Sequence, residues 1–220
     1  MHIVCKHLTL FELLYFTIFV NSNIKQFNIN GADVYVAQFD KAVEVQPVLP
    51  PIRQQMIDGC QDATHKQQSY CVWLLLDYAL KQKCGKGVDA FTFTVDGNGK
   101  WSSDNGVSFS LSHSENVVAV ALSSKAVGVD VEAVNCKRFN ARLADRILTE
   151  NERSIYNNVT RATREAQPRL LAEFWTAKES VFKRDGGNAF VASGIDTTSQ
   201  NVACQTVTFD GETYIVSVAS

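Results

Sequence analysis

The order of patterned segments predicts an α+β fold whose two halves look alike in outline. Three observations carry this. A strand, a long helix and a run of strands are followed by a second set of strand, helices and terminal hairpin. The two sets meet near Ser123 to Ala126, and no low-complexity segment or short-period repeat interrupts them. With 220 residues, 45% of them hydrophobic, the chain can bury a substantial core in one or two units. The expected division is an N-terminal extension at 1–31, an N-terminal half at 32–124 and a C-terminal half at 125–220.

Charged residues make up 20% and the formal net charge is −2, an ordinary globular balance. The lack of a basic excess argues against a dedicated nucleic-acid binder, while a local basic pocket stays compatible with it. The six cysteines form neither a Cys-x-x-Cys pair nor a zinc-type cluster, and read as reduced thiols of a cytoplasmic protein. Leu8 to Val20 is a nearly continuous apolar run, shorter than the roughly twenty residues of a membrane span. The residues that follow offer no small-x-small cleavage pattern. The run therefore reads as a poorly ordered or docked extension or an upstream start-site artefact, with a secretory signal as the minority alternative, and membrane attachment is not expected.

Ala32 to Ala37 alternates as a strand and opens the folded domain. Beyond the Pro47–Pro51 connection, Arg53 to Cys60 suits a short helix. A longer helix capped by Asp62 or Thr64 runs to Lys83 and stops at Gly85. Val72, Leu75, Leu76, Ala79 and Leu80 mark its core side, widened by Trp73 and Leu74. Strands follow at Phe91–Val95, Val107–Leu111, Val117–Leu122 and Val127–Glu132. Arg138 to Leu148 reads as a helix, and Thr149-Glu150-Asn151-Glu152 is a capping box that starts another. The last helix has Pro168 in its first turn, Leu171, Phe174 and Val181 on its buried stripe, and Asp185-Gly186-Gly187 as its stop. Gln205–Phe209 and Tyr214–Val218 form a hairpin about Asp210-Gly211.

Chemistry-bearing residues are few. Asp130 and Glu132 lie two apart on a strand, so both side chains leave one face while Val129 and Val131 enter the core. Taken alone they read as acids facing solvent; if partly buried, they call for a cation such as Mg²⁺. Glu179 and Lys183 are one helical turn apart, which alone is a surface ion pair worth a few tenths of a kcal/mol. Ser112-His113-Ser114, placed in a loop at a strand end, lacks a nucleophile elbow and suits anion binding better than a triad. Lys100 follows a Gly-Asn-Gly turn.

Together these pieces resemble the Sfp-type 4′-phosphopantetheinyl transferases. Gly128-Val129-Asp130-Val131-Glu132 matches that family's Gly-(Ile/Val)-Asp-(Ile/Val)-Glu strand. Trp175-Thr176-Ala177-Lys178-Glu179-Ser180-Val181-Phe182-Lys183 matches its Trp-x-x-Lys-Glu-(Ser/Ala)-x-x-Lys helix, and Ser112-His113-Ser114 its Ser-His-Ser segment. The resemblance covers roughly residues 32 to 219, and it implies a pseudo-two-fold arrangement of two similar α/β halves with the active site at their interface.

It implies transfer of 4′-phosphopantetheine from coenzyme A to a serine of an acyl or peptidyl carrier protein, releasing 3′,5′-ADP, by a holo-[acyl-carrier-protein] synthase type enzyme acting as a monomer. Asp130, Glu132 and Glu179 would hold Mg²⁺, or Mn²⁺ in its place. Glu179 would be the general base with Glu132 its rival, Lys183 would serve the leaving phosphate and Lys178 the pyrophosphate. Ser112, His113 and Lys100 match positions that grip the 3′-phosphate end of coenzyme A, although Trp101 replaces the family's proline after Lys100. Arg53 and Ser69 match two further contacts, with Gln68 where an arginine is usual. The alternatives are a non-catalytic homologue that binds coenzyme A or a carrier protein, and another Mg²⁺-dependent phosphodiester enzyme.

Overall fold

The computed structural model describes residues 19–42, 49–163 and 166–220. The mixed helix and strand content fits the α+β expectation. The chain opens on an antiparallel hairpin, β1 (Phe19–Ile29) and β2 (Ala32–Phe39). Asn30-Gly31 forms its turn with φ of 51° and 75°, the left-handed conformations that Asn and Gly tolerate best. The folded part therefore begins before Ala32, and the expected extension at 1–31 gives the first sheet an edge strand. Of the apolar run at 8–20, residues 8–18 lie outside the described residues.

Two helices follow, α1 (Pro51–Asp58) and α2 (Ala63–Cys84). Asp62 caps α2 by accepting the His65 N–H at 2.9 Å, and Gly85 ends it. A small hairpin of β3 (Phe93–Val95) and β4 (Trp101–Ser103) leads to β5 (Ser108–Ser114) and β6 (Val117–Ser123). The first sheet has the order β1-β2-β6-β5, antiparallel throughout. Because β5 runs to Ser114, Ser112-His113-Ser114 lies within a strand and not in a loop.

The second half starts with β7 (Gly128–Ala133). Helices α3 (Ala141–Ile147), α4 (Glu150–Ala162) and α5 (Gln167–Asp185) come next. Strands β8 (Val202–Phe209) and β9 (Glu212–Ala219) complete a sheet of order β7-β9-β8. Helix α3 starts later than Arg138 because the Asn140 side chain accepts the N–H groups of Arg142 and Leu143, fixing a cap there. Arg138 is thereby left in the preceding loop. The capping box at Thr149 and Glu152 is present. In each half a strand, helical segments and a hairpin give a sheet whose last strand lies in the middle, β2-β6-β5 and β7-β9-β8.

The layers run helix, sheet, sheet, helix. One face of the first sheet packs Tyr35, Phe39, Val118, Val120 and Leu122 against Trp73, Leu75, Leu76 and Leu80 of α2. Its other face packs Val34, Val36, Ala119 and Ala121 on Val129, Val131, Val216 and Val218 of the second sheet. Burial on both faces explains why β6 is apolar at nearly every position instead of alternating. Outside the second sheet, Ile215 packs with Phe139, Ile147, Leu171 and Phe174. Helix α5 reaches β7 closely at Gly128, where a Cβ would come within 1.9 Å of the Ser180 carbonyl oxygen. Among the described residues no helix is long and apolar enough to cross a membrane, and the cysteines at 60, 71, 84, 136 and 204 are free thiols.

Candidate functional site

Strands β5 and β7 are neighbouring edges of different sheets, and no backbone ladder joins them. Serine hydroxyls take its place. Ser110, Ser112 and Ser114, which share one side of β5, accept the N–H groups of Val129, Val131 and Ala133 at 3.0, 3.2 and 3.3 Å. The seam thus satisfies β7 donors that an open edge would leave unpaired. On the α5 side of β7 the even-numbered residues are Gly128, Asp130 and Glu132.

The seam also forms one wall of a cleft of about 360 Å³. Asp130, Glu132, Glu179 and Lys183 line it from the second half, and Arg53, Trp101, Ser112 and His113 from the first. Asp130 is 5% exposed. Its Oδ1 accepts from Ser112 Oγ at 2.7 Å and from Lys183 Nζ at 2.6 Å, while its Oδ2 is buried with no partner. Glu132 repeats the pattern: its Oε2 accepts from Ser114 Oγ at 2.8 Å and pairs with Arg138 at 2.6 Å. Burial, then the neighbouring Asp130, raises the Glu132 pKa despite Arg138 and Ser114. The Glu179 pKa is pushed up to about 7, first by burial and then by Asp130, with Lys183 opposing.

Among the described residues no group of three or more His, Cys, Asp or Glu side chains is placed to hold a metal ion. The expected three-carboxylate cage of Asp130, Glu132 and Glu179 is therefore not drawn together, although all three face one cleft. The residues nonetheless fit a hard cation. A buried carboxylate oxygen without a partner is costly, as Asp130 Oδ2 is here, and Mg²⁺ commonly takes one or two carboxylates, completing its shell with phosphate oxygens and water.

The first-half wall suits an anion. The Arg53 Nε is buried without a hydrogen-bond partner, and its guanidinium lies 5.7 Å from the rings of both Trp73 and Trp101. Burial pushes its pKa down, the mark of a cation short of counter-charge. His113, exposed at the mouth and 6.2 Å from the His65 ring, has its pKa lowered to about 4. Desolvation of the ring by the walls of the cleft comes first, then the charges of Lys183, His65 and Arg53, with Asp130 opposing. An adjoining arm of the cleft, lined by Lys100, Trp101, Phe109 and Phe182, shares Trp101, Leu111 and Lys183 with it.

Four expected ligand contacts are engaged within the protein or lie outside the cleft. Lys178 is completely buried and pairs with Glu152 at 2.6 Å, so it cannot touch a pyrophosphate in the cleft. Consecutive residues of a helix point about 100° apart, so Lys178 meets Glu152 while Glu179 lines the cleft. The Ser112 hydroxyl is spent on Asp130, Val131 and Lys183 rather than pointing free into the cleft. Ser69 is half-buried on α2, outside the lining. Lys100 Nζ is engaged by the Arg184 carbonyl at the end of α5, which clasps the two halves. Arg138 is an addition to the expected site residues, while the Ser114 hydroxyl, expected to donate to an anion, is given to Glu132. Arg138 carries no local signal, whereas Ser110-x-Ser112-x-Ser114 is a period-two pattern that a correctly extended β5 would have exposed.

Residues 126–217 match the family model of the 4′-phosphopantetheinyl transferase superfamily. The match takes in Asp130, Glu132, Glu179 and Lys183. The chain is also similar to the 4′-phosphopantetheinyl transferase gsp of Aneurinibacillus migulanus, 30% identical over 93 residues. That is 42% of this chain and 37% of the relative, so the chain matches little more than a third of that protein's length.

Proposed function

We propose that this chain, whose residues 126–217 match the family model of the 4′-phosphopantetheinyl transferase superfamily, moves phosphopantetheine from coenzyme A to a serine of an acyl or peptidyl carrier protein. The observation that carries this reading is one cleft faced by carboxylates of the second half and by Arg53 of the first, whose Nε is buried without a partner. That pairing suits a divalent cation beside a polyphosphate.

Arg53 and His113 would receive the phosphates at the adenosine end of coenzyme A, with the Lys100 arm beside them. Asp130, Glu132 and Glu179 would hold Mg²⁺, which when bound offsets the charge of the pyrophosphate. Glu179 is the better base of the two candidates. It makes no hydrogen bond or ion pair among the described residues, while Glu132 is tied by Ser114 and Arg138. The carrier serine loses its proton to Glu179 as its oxygen bonds to the β-phosphorus. The bond from that phosphorus to the bridging oxygen breaks, and 3′,5′-ADP leaves. Lys183 moves from Asp130 to the departing phosphate and stabilises its charge. The chain would act as a monomer.

The test incubates the purified protein with Mg²⁺, coenzyme A and a panel of apo carrier proteins, and reads the carrier mass. A gain of one phosphopantetheine is expected, lost with chelator and in Asp130→Ala. Folded protein that binds coenzyme A yet modifies no carrier would make it a binding homologue. Hydrolysis of a phosphodiester without transfer would make it a different Mg²⁺ enzyme.

A further inference from the structure

Asp130 and Glu132 are held in the same way, by groups outside their own strand. In each, one carboxylate oxygen accepts a hydrogen bond from a serine of β5 and faces a cation: Ser112 and Lys183 at Asp130 Oδ1, Ser114 and Arg138 at Glu132 Oε2. The other oxygen carries no hydrogen bond among the described residues, and for Asp130 it is buried as well. Each serine is itself fixed, because the same Oγ accepts a β7 backbone N–H one residue further on. Each hydroxyl is thereby oriented: the Oγ accepts the backbone N–H, at Ser112 also the Lys183 Nζ at 3.1 Å, and its proton goes to the carboxylate.

We propose that Ser114 and Ser112 are positioning residues. Their hydroxyls fix which oxygen of Glu132 and of Asp130 is occupied by protein and which is left for a cation. The first half of the chain thereby sets the ligand geometry of the second. The inference rests on the proposed Mg²⁺-dependent transfer. It assigns Ser114 a duty that the resemblance does not give it, and Ser112 one different from gripping a coenzyme A phosphate. Hydrogen bonds to the second oxygen of a ligand carboxylate act on affinity through orientation, and removing such a partner commonly costs 10- to 100-fold. Ser110 supplies the internal comparison. It accepts the Val129 N–H at 3.0 Å and faces Gly128, which has no side chain to orient.

The test measures Mn²⁺ binding to the full chain by electron paramagnetic resonance, without coenzyme A, for the wild type and for Ser110→Ala, Ser112→Ala, Ser114→Ala and Ser114→Thr. Ser112→Ala and Ser114→Ala are expected to weaken Mn²⁺ about 10-fold or more. Ser114→Thr, which keeps the hydroxyl, should recover most of that loss, and Ser110→Ala should bind Mn²⁺ as the wild type does. Equal weakening in all three alanine variants, tracking their loss of thermal stability, would overturn the proposal in favour of a merely structural seam. So would unchanged affinity in Ser114→Ala. If the wild type itself fails to bind Mn²⁺, it is the metal-dependent reading that fails, which keeps the two outcomes apart.

Discussion

Lys178 lies buried against Glu152 at 2.6 Å, while its neighbour in sequence, Glu179, faces the cleft. Glu152 is also the capping-box acid of α4, and it accepts the Thr149 N–H at 2.9 Å and the Thr197 N–H and hydroxyl at 3.0 and 2.7 Å. One carboxylate thus joins α4, α5 and the segment before β8. Removing one partner of a buried pair strands the other charge and typically costs about 3–5 kcal/mol. Lys178→Met should therefore lower the unfolding free energy by an amount of that order, and the urea midpoint with it. Lys178→Met combined with Glu152→Gln should recover part of it, because the stranded charge is gone. Urea titrations of both variants provide the check. A normally stable Lys178→Met protein that had lost coenzyme A binding would instead return Lys178 to the ligand.

Gly128 begins β7 at the point where α5 comes nearest. A Cβ there would lie 1.9 Å from the Ser180 carbonyl oxygen and 2.6 Å from the Arg184 backbone nitrogen. Both are helix backbone, so no flexible side chain can yield. Gly128→Ala should destabilise the fold by roughly 3 kcal/mol or more, at or above the upper part of the overpacking range. It should lose soluble yield before any specific catalytic defect shows. Thermal melting of the refolded variant would decide the point, and a melting temperature equal to wild type would contradict the close approach.

Much of this architecture was legible because local signals agreed with tertiary ones. Asp62 and Gly85 bounded α2, Thr149 and Glu152 announced α4, and Asp210-Gly211 placed the last hairpin. The first hairpin was missed although Asn30-Gly31 carries the same kind of signal, because the apolar run before it drew residues 1–31 into one supposed extension. Strand β5 was cut short at Leu111 because its serines and histidine look like loop residues. Their polarity comes from a seam with another sheet, which no local pattern can report. Within the motif helix, the face of Glu179 followed from spacing, but the burial of Lys178 depended on Glu152, twenty-six positions earlier. The pairing of Arg138 with Glu132 depended on where Asn140 starts α3. Long-range partners decided both.

Arg53 combines a buried Nε without a partner with two indole faces at 5.7 Å. Those cation–π contacts offset part of the desolvation, by about 0.5–2 kcal/mol. Arg53→Met should accordingly change stability by no more than about 1 kcal/mol, since an uncompensated buried charge is removed along with them. Coenzyme A binding should suffer far more, by about 10-fold or greater, as expected for a lost charged hydrogen bond of 1.5–3 kcal/mol. Calorimetric titration with coenzyme A and a melting curve on the same sample separate the two effects. Unaltered affinity with a large loss of stability would make Arg53 a packing residue.

Glu179 gives the cleft a pH signature of definite sign. Its pKa rises from 4.5 to about 7 in the folded chain, through burial first and the nearby Asp130 second. Between those values the folded state holds a proton that the unfolded state has released, so stability falls as pH rises through the window and levels off above it. His113 works the other way: with its pKa lowered from 6.5 to about 4, stability falls as pH drops across that range. The Glu179 contribution is therefore isolated by comparison with Glu179→Gln. In the presence of chelator, the variant should gain on the wild type as pH rises from 4.5 towards 7, with no further gain above. Adding Mg²⁺ above pH 7 should narrow the gap, because a cation stabilises the ionised carboxylate that only the wild type can offer. Urea unfolding of the two proteins across this range measures the difference directly, and parallel pH profiles with and without Mg²⁺ would remove Glu179 from the charged centre of the cleft.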